Sequence, residues 1–159
     1  LLDLAPSLTL ARLRRAESSM LLGEWESARD DLKMVLDASP HHYHALTQLA
    51  SCYMSLDRYE RAEAPLNEAI RLHQNHAQAW HQRGLLYLEW KQLDAAYDDF
   101  QAAIRCDANH LDARLHIAAT LHQQERPTEA AAAWRAVLAI DPDHTVARIR
   151  LGECELSLV

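Results

Sequence analysis

The stretch that decides the fold is residues 77–110, which read AQAWHQRGLLYLEWKQLDAAYDDFQAAIRCDANH. Apolar residues recur at helical spacing over residues 80–87 and again over residues 96–103, with a short polar stretch between them. Small residues such as Gly84 allow two helices to approach closely, and large ones such as Phe100 fill the space between them. The stretch therefore predicts two antiparallel helices packed as a pair.

The same pattern recurs every 34 residues along the chain. Its reference alanines, each followed four positions later by a large apolar residue, are Ala28 with Leu32, Ala62 with Leu66, Ala96 with Phe100, and Ala130 with Trp134. Twelve positions before each alanine comes another small residue: Ala16, Ala50, Gly84 and Ala118. A fixed period of this length is typical of a solenoid, in which each unit packs only on its neighbours. The scarcity of glycine and proline, 3 and 5 in 159 residues, favours helix throughout.

The unit at residues 77–110 resembles a tetratricopeptide repeat, whose signature is W-x2-L-G-x2-Y, then A-x3-F, then P. The matching residues are Trp80, Gly84, Tyr87, Ala96 and Phe100. The unit departs from the signature at Arg83, where the family has Leu, and at Ala108, where it has Pro. The resemblance implies an all-α fold, a right-handed superhelical solenoid of antiparallel helix pairs.

The register divides the chain into repeats. Residues 9–42 form repeat 1, 43–76 repeat 2, 77–110 repeat 3 and 111–144 repeat 4, while 1–8 is interpreted as the end of the second helix of a preceding repeat, and 145–159 as the first helix of a further repeat or a capping helix. The first helix of repeat 1 is degenerate, because Arg12, Arg15 and Ser19 replace apolar residues. Pro65 falls inside the second helix of repeat 2 and predicts a lost hydrogen bond and a local kink there. We expect the chain to be a piece of a longer array or of a larger protein.

Charge and cysteine usage argue against several classes of function. The chain has 16 basic and 23 acidic residues, a formal net charge of −7, and no basic run, so we expect no nucleic-acid partner. Its three cysteines are far apart and odd in number, which indicates neither a disulfide framework nor a zinc knuckle. No apolar run approaches the roughly 20 residues of a membrane span, so no membrane insertion is expected. Free thiols favour a cytoplasmic location, and a periplasmic one stays open if a signal sequence lies upstream.

Histidine is abundant, with ten residues, but its placement indicates structure more than metal binding. One histidine precedes the first helix of each repeat: His42, His76, His110 and His144. Equivalent residues in stacked repeats lie about 8–10 Å apart, whereas Zn–N bonds are about 2 Å long, so one ion cannot bridge them. We interpret the row as a helix-entry position and the cluster His41, His42 and His44 as incidental. No nucleophile motif, P-loop or dinucleotide-binding glycine pattern is present, so we expect no enzyme activity, no cofactor and no metal.

In tetratricopeptide arrays the first helix of each pair lines the concave surface, which usually holds the partner. The resemblance implies that the partner-binding face here consists of His44, Thr47, Gln48, Ser51, Gln78, His81, Gln82, Leu85, Asp112, Leu115, His116 and Ala119. Neither the basic carboxylate clamp of co-chaperone repeats nor the asparagine ladder of sugar-transferase arrays is present at the corresponding positions.

The leading hypothesis is a non-enzymatic scaffold that binds a peptide or helical segment of a partner protein in this concave groove. Two alternatives stay open. The chain could be an accessory or targeting domain of a longer enzyme, such as a transferase, whose active site lies outside it. It could also belong to a self-assembling array whose ends associate between molecules.

Overall fold

The computed structural model describes the backbone of residues 4–158 and the side chains from Ser7 onwards. Within that part the chain forms nine α-helices and no strand, so the predicted all-α class is confirmed. The helices are α1 (Leu4–Leu21), α2 (Trp25–Ala38), α3 (Tyr43–Ser55), α4 (Glu63–Leu72), α5 (Ala77–Glu89), α6 (Leu93–Cys106), α7 (Leu111–Gln123), α8 (Pro127–Ile140) and α9 (Thr145–Leu156). We call the odd-numbered helices A helices and the even-numbered ones B helices.

The chain divides into two compact units, Leu1–Gln82 and Arg83–Val159. In the first unit, α2 packs on α1 and α3, and α4 packs on α3. The fully buried side chains there include Leu32 and Val35 of α2 and Leu66 of α4. In the second unit, α7 packs on α6 and α8, and α9 packs on α8. Its core contains Phe100 and Trp134, which occupy the repeat position of Leu32 and Leu66.

The turn from each A helix to its B helix contains one residue in the left-handed region. These residues are Gly23, Asp57, Lys91 and Glu125, with φ values of 75°, 56°, 58° and 56°. Each turn has the Schellman pattern of backbone hydrogen bonds; in the third turn Lys91 N–H donates to Leu88 O and Gln92 N–H donates to Tyr87 O. Only the first turn has glycine at this position, so the other three carry the steric cost of a Cβ.

Three of the histidines that precede an A helix cap that helix. The Nδ1 atoms of His42, His110 and His144 accept backbone N–H groups at 3.2, 3.3 and 3.2 Å from Ala45, Ala113 and Ala147 respectively. Because the first N–H groups of a helix have no acceptor within the helix, an imidazole nitrogen in this place supplies one. These histidines at the helix entry therefore act as N-terminal caps.

Two prolines lie at helix starts. Pro6 is the third residue of α1, which continues without a break past Leu8, whereas the sequence predicted the end of a preceding helix there. A proline is tolerated in the first turn, because its missing N–H would have no acceptor within the helix. Residues 1–3 of that predicted segment lie outside the described residues. Pro65 is likewise the third residue of α4, and the preceding residues Tyr59–Arg61 form only a 3-10 turn. The regular B helix of repeat 2 therefore begins late.

Candidate functional site

In the first unit, four of the predicted partner-binding residues belong to α3. Thr47 is only 3% exposed, and its hydroxyl donates to Tyr43 O at 3.0 Å. Ser51 is half-buried, and its hydroxyl donates to Thr47 O at 3.2 Å. His44 is exposed and Gln48 half-buried. The accessible side of α3 therefore consists of His44, Gln48 and Ser51, and Thr47 offers little surface to a partner.

Gln48 links α3 to α1 but uses little of its hydrogen-bonding capacity. Its Nε2 donates to Glu17 Oε1 at 3.5 Å, the long limit for such a bond, and Glu17 in turn accepts a bond from Arg14 at 3.0 Å. The Gln48 Oε1 atom is shielded from solvent and has no hydrogen-bond partner among the described residues. An amide carbonyl can accept two hydrogen bonds, so this atom is an unsatisfied acceptor.

The start of α5 supplies the other three predicted residues of the first unit. Gln78 is exposed and Gln82 is half-buried. His81 is buried, at 6% exposure, so its ring is not presented on the surface. The accessible polar residues of this segment are therefore two glutamines four positions apart, on one side of the helix.

A cluster of rings at the entry to α3 and α5 was not recognised from the sequence. We call Tyr43, His44, His73 and His76 the Tyr43 cluster. The Tyr43 ring stacks on His73 with centroids 4.6 Å apart, and His44 meets His76 edge-on at 4.8 Å. The signal in the sequence is the pair His73 and His76, the first and last residues of the loop between α4 and α5.

Two histidines of this cluster have a lowered pKa. Burial lowers the pKa of His76 to about 4, with the neighbouring His44 and His73 adding to the effect. Burial also lowers the pKa of His44, and His42 and His73 lower it further. Across residues 4–158, no three His, Cys, Asp or Glu side chains converge in a geometry that could hold a metal ion. The cluster is therefore a group of rings in stacked and edge-on contact, without a metal-binding geometry.

The second unit contains the remaining predicted residues, and most of them are apolar. Leu85, Leu115 and Ala119 are partly buried and pack against the core of the unit. The ring of His116 stacks on Phe100 with centroids 5.1 Å apart, and its Nδ1 lies 2.7 Å from Asp112 O. Asp112 alone of this set is exposed. Because the two sets belong to different units, each is a candidate surface by itself.

Two ion pairs, each with a buried aspartate, were not predicted from the sequence. Asp99 on α6 is 4% exposed and accepts two bonds from Arg83 on α5, at 2.7 and 2.8 Å. Asp31 on α2 is equally buried and accepts two bonds from Arg15, and these bonds hold its pKa below the usual range. Arg15 and Arg83, which depart from the repeat pattern, thus each have a partner sixteen positions along the chain.

One cysteine and one histidine meet beside a cavity of about 270 Å³ in the second unit, where Cys154 Sγ lies 3.5 Å from His122 Nδ1. Such a pair can form a nucleophilic dyad when the thiol is ionised. Burial raises the pKa of Cys154, which is 1% exposed, so the thiol stays protonated. This pair is therefore not an activated nucleophile.

Comparison with known proteins agrees with this geometry. Models of the tetratricopeptide repeat match residues 19–83, 77–110 and 115–158. Together these matches cover most of the chain, which therefore belongs to the tetratricopeptide repeat family. No curated protein sequence matches it. In the described part of the chain, every helix is too short or too polar to traverse a bilayer.

Solved structures with the same fold have low sequence identity to this chain. The MamA protein superposes with a TM-score of 0.83 at 21% identity, over 94% of this chain and 81% of its own. YrrB, described as having an unusual peptide-binding site, gives 0.75 at 24% identity, over 92% and 75%. The first repeat domain of Spaghetti (RPAP3), bound to the HSP90 peptide SRMEEVD, gives 0.71 at 21% identity, over 75% and 94%. These similarities establish the fold.

Proposed function

We propose that this chain is a protein-interaction module that binds an extended or helical segment of a partner protein along the polar side of α3 and the start of α5. The binding side chains are the accessible members of the predicted face in the first unit: His44, Gln48, Ser51, Gln78 and Gln82. Two proteins of the same fold bind peptides, as their descriptions state, and this supports an interaction role.

The observation that carries the proposal is the unused hydrogen-bonding capacity of Gln48. Its Oε1 has no partner among the described residues, and its Nε2 makes a single long bond to Glu17. A shielded acceptor without a partner costs about 1–3 kcal/mol, so rotation of the Gln48 amide towards a donor of a bound ligand would recover that cost. An extended peptide offers backbone N–H and C=O groups in alternation, so one amide side chain can bind both.

The electrostatics of this face favour hydrogen bonding over charge recognition. Partial burial of the imidazole, together with His42 and His73, lowers the pKa of His44 and so favours its neutral ring. Glu17 lies beside Gln48 and would repel a C-terminal carboxylate. We therefore expect a ligand whose contact segment is polar and not acidic.

The test begins with a library of displayed random peptides selected on the native chain. The affinity of the best peptide is then measured by calorimetry for the native chain and for the double variant Gln48→Ala and Gln82→Ala. Loss of two amide contacts should weaken binding by about tenfold or more, because each is worth about 1 kcal/mol. Circular dichroism should show unchanged helicity, since both residues are only half-buried.

A matched control is Gln92→Ala, which removes an amide of the same size from an exposed position in the turn between α5 and α6. That variant should bind the peptide as the native chain does. If every selected peptide binds the double variant and the native chain equally well, the proposed face is not the binding site.

A further inference from the structure

A carboxylate from α1 lies at the proposed binding face. Glu17 Oε1 accepts a bond from Gln48 Nε2 at 3.5 Å, which places a negative charge beside the amide that carries the proposed function. Burial is the main cause of the lowered pKa of His44, and the charge of Glu17 opposes that shift, so the carboxylate acts on His44 as well. Glu17 is therefore close to two side chains of the face.

The two helical segments that make up this face contain no charged residue of their own. Neither α3 (Tyr43–Ser55) nor the stretch 77–82 at the start of α5 has an Asp, Glu, Lys or Arg. Their accessible side chains are amides, a hydroxyl and an imidazole. The negative charge of Glu17 therefore acts on an otherwise polar, uncharged surface, where it attracts a cation of the ligand and repels an anion.

Glu17 already has a cationic neighbour, but that ion pair is a weak one. Arg14 Nη1 donates to Glu17 Oε2 at 3.0 Å, and 74% and 41% of the two side chains are exposed. Exposed pairs at this spacing contribute little to stability, and an arginine that precedes its acid on a helix is in the less favourable order. A carboxylate has about four acceptor sites, so a ligand cation can bind beside Arg14 or replace it.

We propose that Glu17 binds a lysine or arginine side chain of the partner segment. This inference rests on the proposed function, because it assigns the ligand chemistry of the same face. The basic side chain donates to the Glu17 carboxylate while a backbone N–H of the ligand donates to Gln48 Oε1. Since Glu17 and Gln48 are in contact, the basic residue lies within about two residues of that N–H, roughly 7 Å of extended chain.

The experiment runs parallel selections from one random peptide library on three forms of the protein. These are the native chain, Glu17→Gln, and the matched control Glu26→Gln, which removes the same charge from an exposed position on α2. Peptides selected on the native chain and on the control should share a lysine or arginine at one position. Peptides selected on Glu17→Gln should have no preference for a basic residue there.

The strongest peptide from the native chain is then synthesised with an acetylated and an amidated end, so that only its side chains carry charge. Calorimetry should show that Glu17→Gln weakens its binding by about threefold to tenfold, and Glu26→Gln by less than about twofold. A peptide with glutamine in place of the basic residue should bind the native chain and Glu17→Gln equally well. Because glutamine keeps the size of glutamate, circular dichroism should show native helicity in both variants.

Two results would overturn this inference and leave the proposed function intact. They are selected peptides without a shared basic residue, and equal affinities of Glu17→Gln and Glu26→Gln, in each case with weaker binding by the double variant Gln48→Ala and Gln82→Ala. If the native chain selects no peptide, or if the double variant binds as the native chain does, both proposals fail.

Discussion

Two kinds of helix pair alternate along the chain. In α1–α2 and α5–α6, an arginine on the A helix meets a buried aspartate on the B helix. At the same register the other two pairs have Leu49 with Pro65 and Ile117 with Ala133. The comparison shows that the space between the two helices at this register must be filled, and that any polar group placed there needs a partner. A bidentate ion pair meets both needs, and so do apolar residues of suitable volume.

The largest expected effect is that of breaking an ion pair from one side. Asp99→Ala should lower the free energy of unfolding by about 3–5 kcal/mol, because Arg83, with 18% of its side chain exposed, would lose its carboxylate in a largely buried place. Denaturant unfolding followed by circular dichroism measures the change. The double variant Arg83→Leu and Asp99→Ala, which copies the apolar kind of pair, should recover most of the loss.

The other ion pair provides the control for this prediction. Arg15 has 69% of its side chain exposed, so water can solvate its guanidinium when the carboxylate is removed. Asp31→Ala should therefore cost less than Asp99→Ala. If the two aspartate variants are equally destabilised, burial of the arginine is not what distinguishes the two pairs.

The next effect comes from moving an ion pair into an apolar helix pair. A cavity of about 220 Å³ lies beside Ile117 and Ala133, so α7–α8 has room for longer side chains. Ile117→Arg alone should destabilise the chain, because it brings an unpaired charge into the core. Adding Ala133→Asp should restore about 2 kcal/mol of that loss, measured as the coupling free energy of a double-mutant cycle. A coupling free energy near zero would mean that placing Arg and Asp at these two repeat positions is not enough to form the ion pair.

These pairs also show how far the sequence could predict the structure. The positions of Gly84 and Phe100 follow from the repeat, because close packing of an A helix on a B helix needs a small residue opposite a large one. The partner of Arg83 was not predicted, although both repeats that depart from the apolar pattern, repeats 1 and 3, have an arginine and an aspartate sixteen residues apart. An ion pair is a property of two elements, and a signature compares one position at a time.

The candidate face was predicted less well, for a different reason. Helical spacing assigns Thr47 and His81 to the same side as Gln48, yet both are buried. An A helix such as α3 or α7 packs against the preceding B helix as well as its own B helix, so its buried stripe is wider than a single pairing implies. The Tyr43 cluster depends on the loop between α4 and α5, whose course no periodic pattern specifies.

Acid should destabilise the chain first through the Tyr43 cluster, which lies beside the apolar pair α3–α4. Burial lowers the pKa of His76 to about 4, whereas the unfolded chain has a value near 6.5, so folding favours the neutral ring. The contribution of the neutral His76 ring to the free energy of unfolding is fully present above pH 6.5. It is lost as the pH falls towards 4. We expect a loss of roughly 1–2 kcal/mol after allowing for solvent screening. The Asp31 carboxylate, whose pKa is lowered, loses its contribution only at more acidic pH.

Unfolding measured at pH 7, 5.5 and 4.5 tests this prediction, and His76→Gln should reduce the slope. Between pH 7 and 8.5 His76 is neutral in both the folded and the unfolded chain, so its protonation should not change the stability of the native chain. This pH range serves as the internal control. An unchanged slope between pH 7 and 4.5 in the variant would assign the acid sensitivity to other groups.

The smallest effect concerns the turns, which both kinds of pair share. Lys91→Gly should raise the free energy of unfolding by roughly 0.5–1 kcal/mol. Glycine removes a left-handed strain of about 1–2 kcal/mol and adds part of that amount back as chain entropy. Gln92→Gly, one residue later at φ −89°, relieves no strain and should be neutral or destabilising. Gly23→Ala should cost about 1 kcal/mol through backbone strain alone, because a Cβ there meets no atom within 4 Å. If Lys91→Gly and Gln92→Gly behave alike, the left-handed residue is not under strain, and the glycine of the first turn would need another explanation.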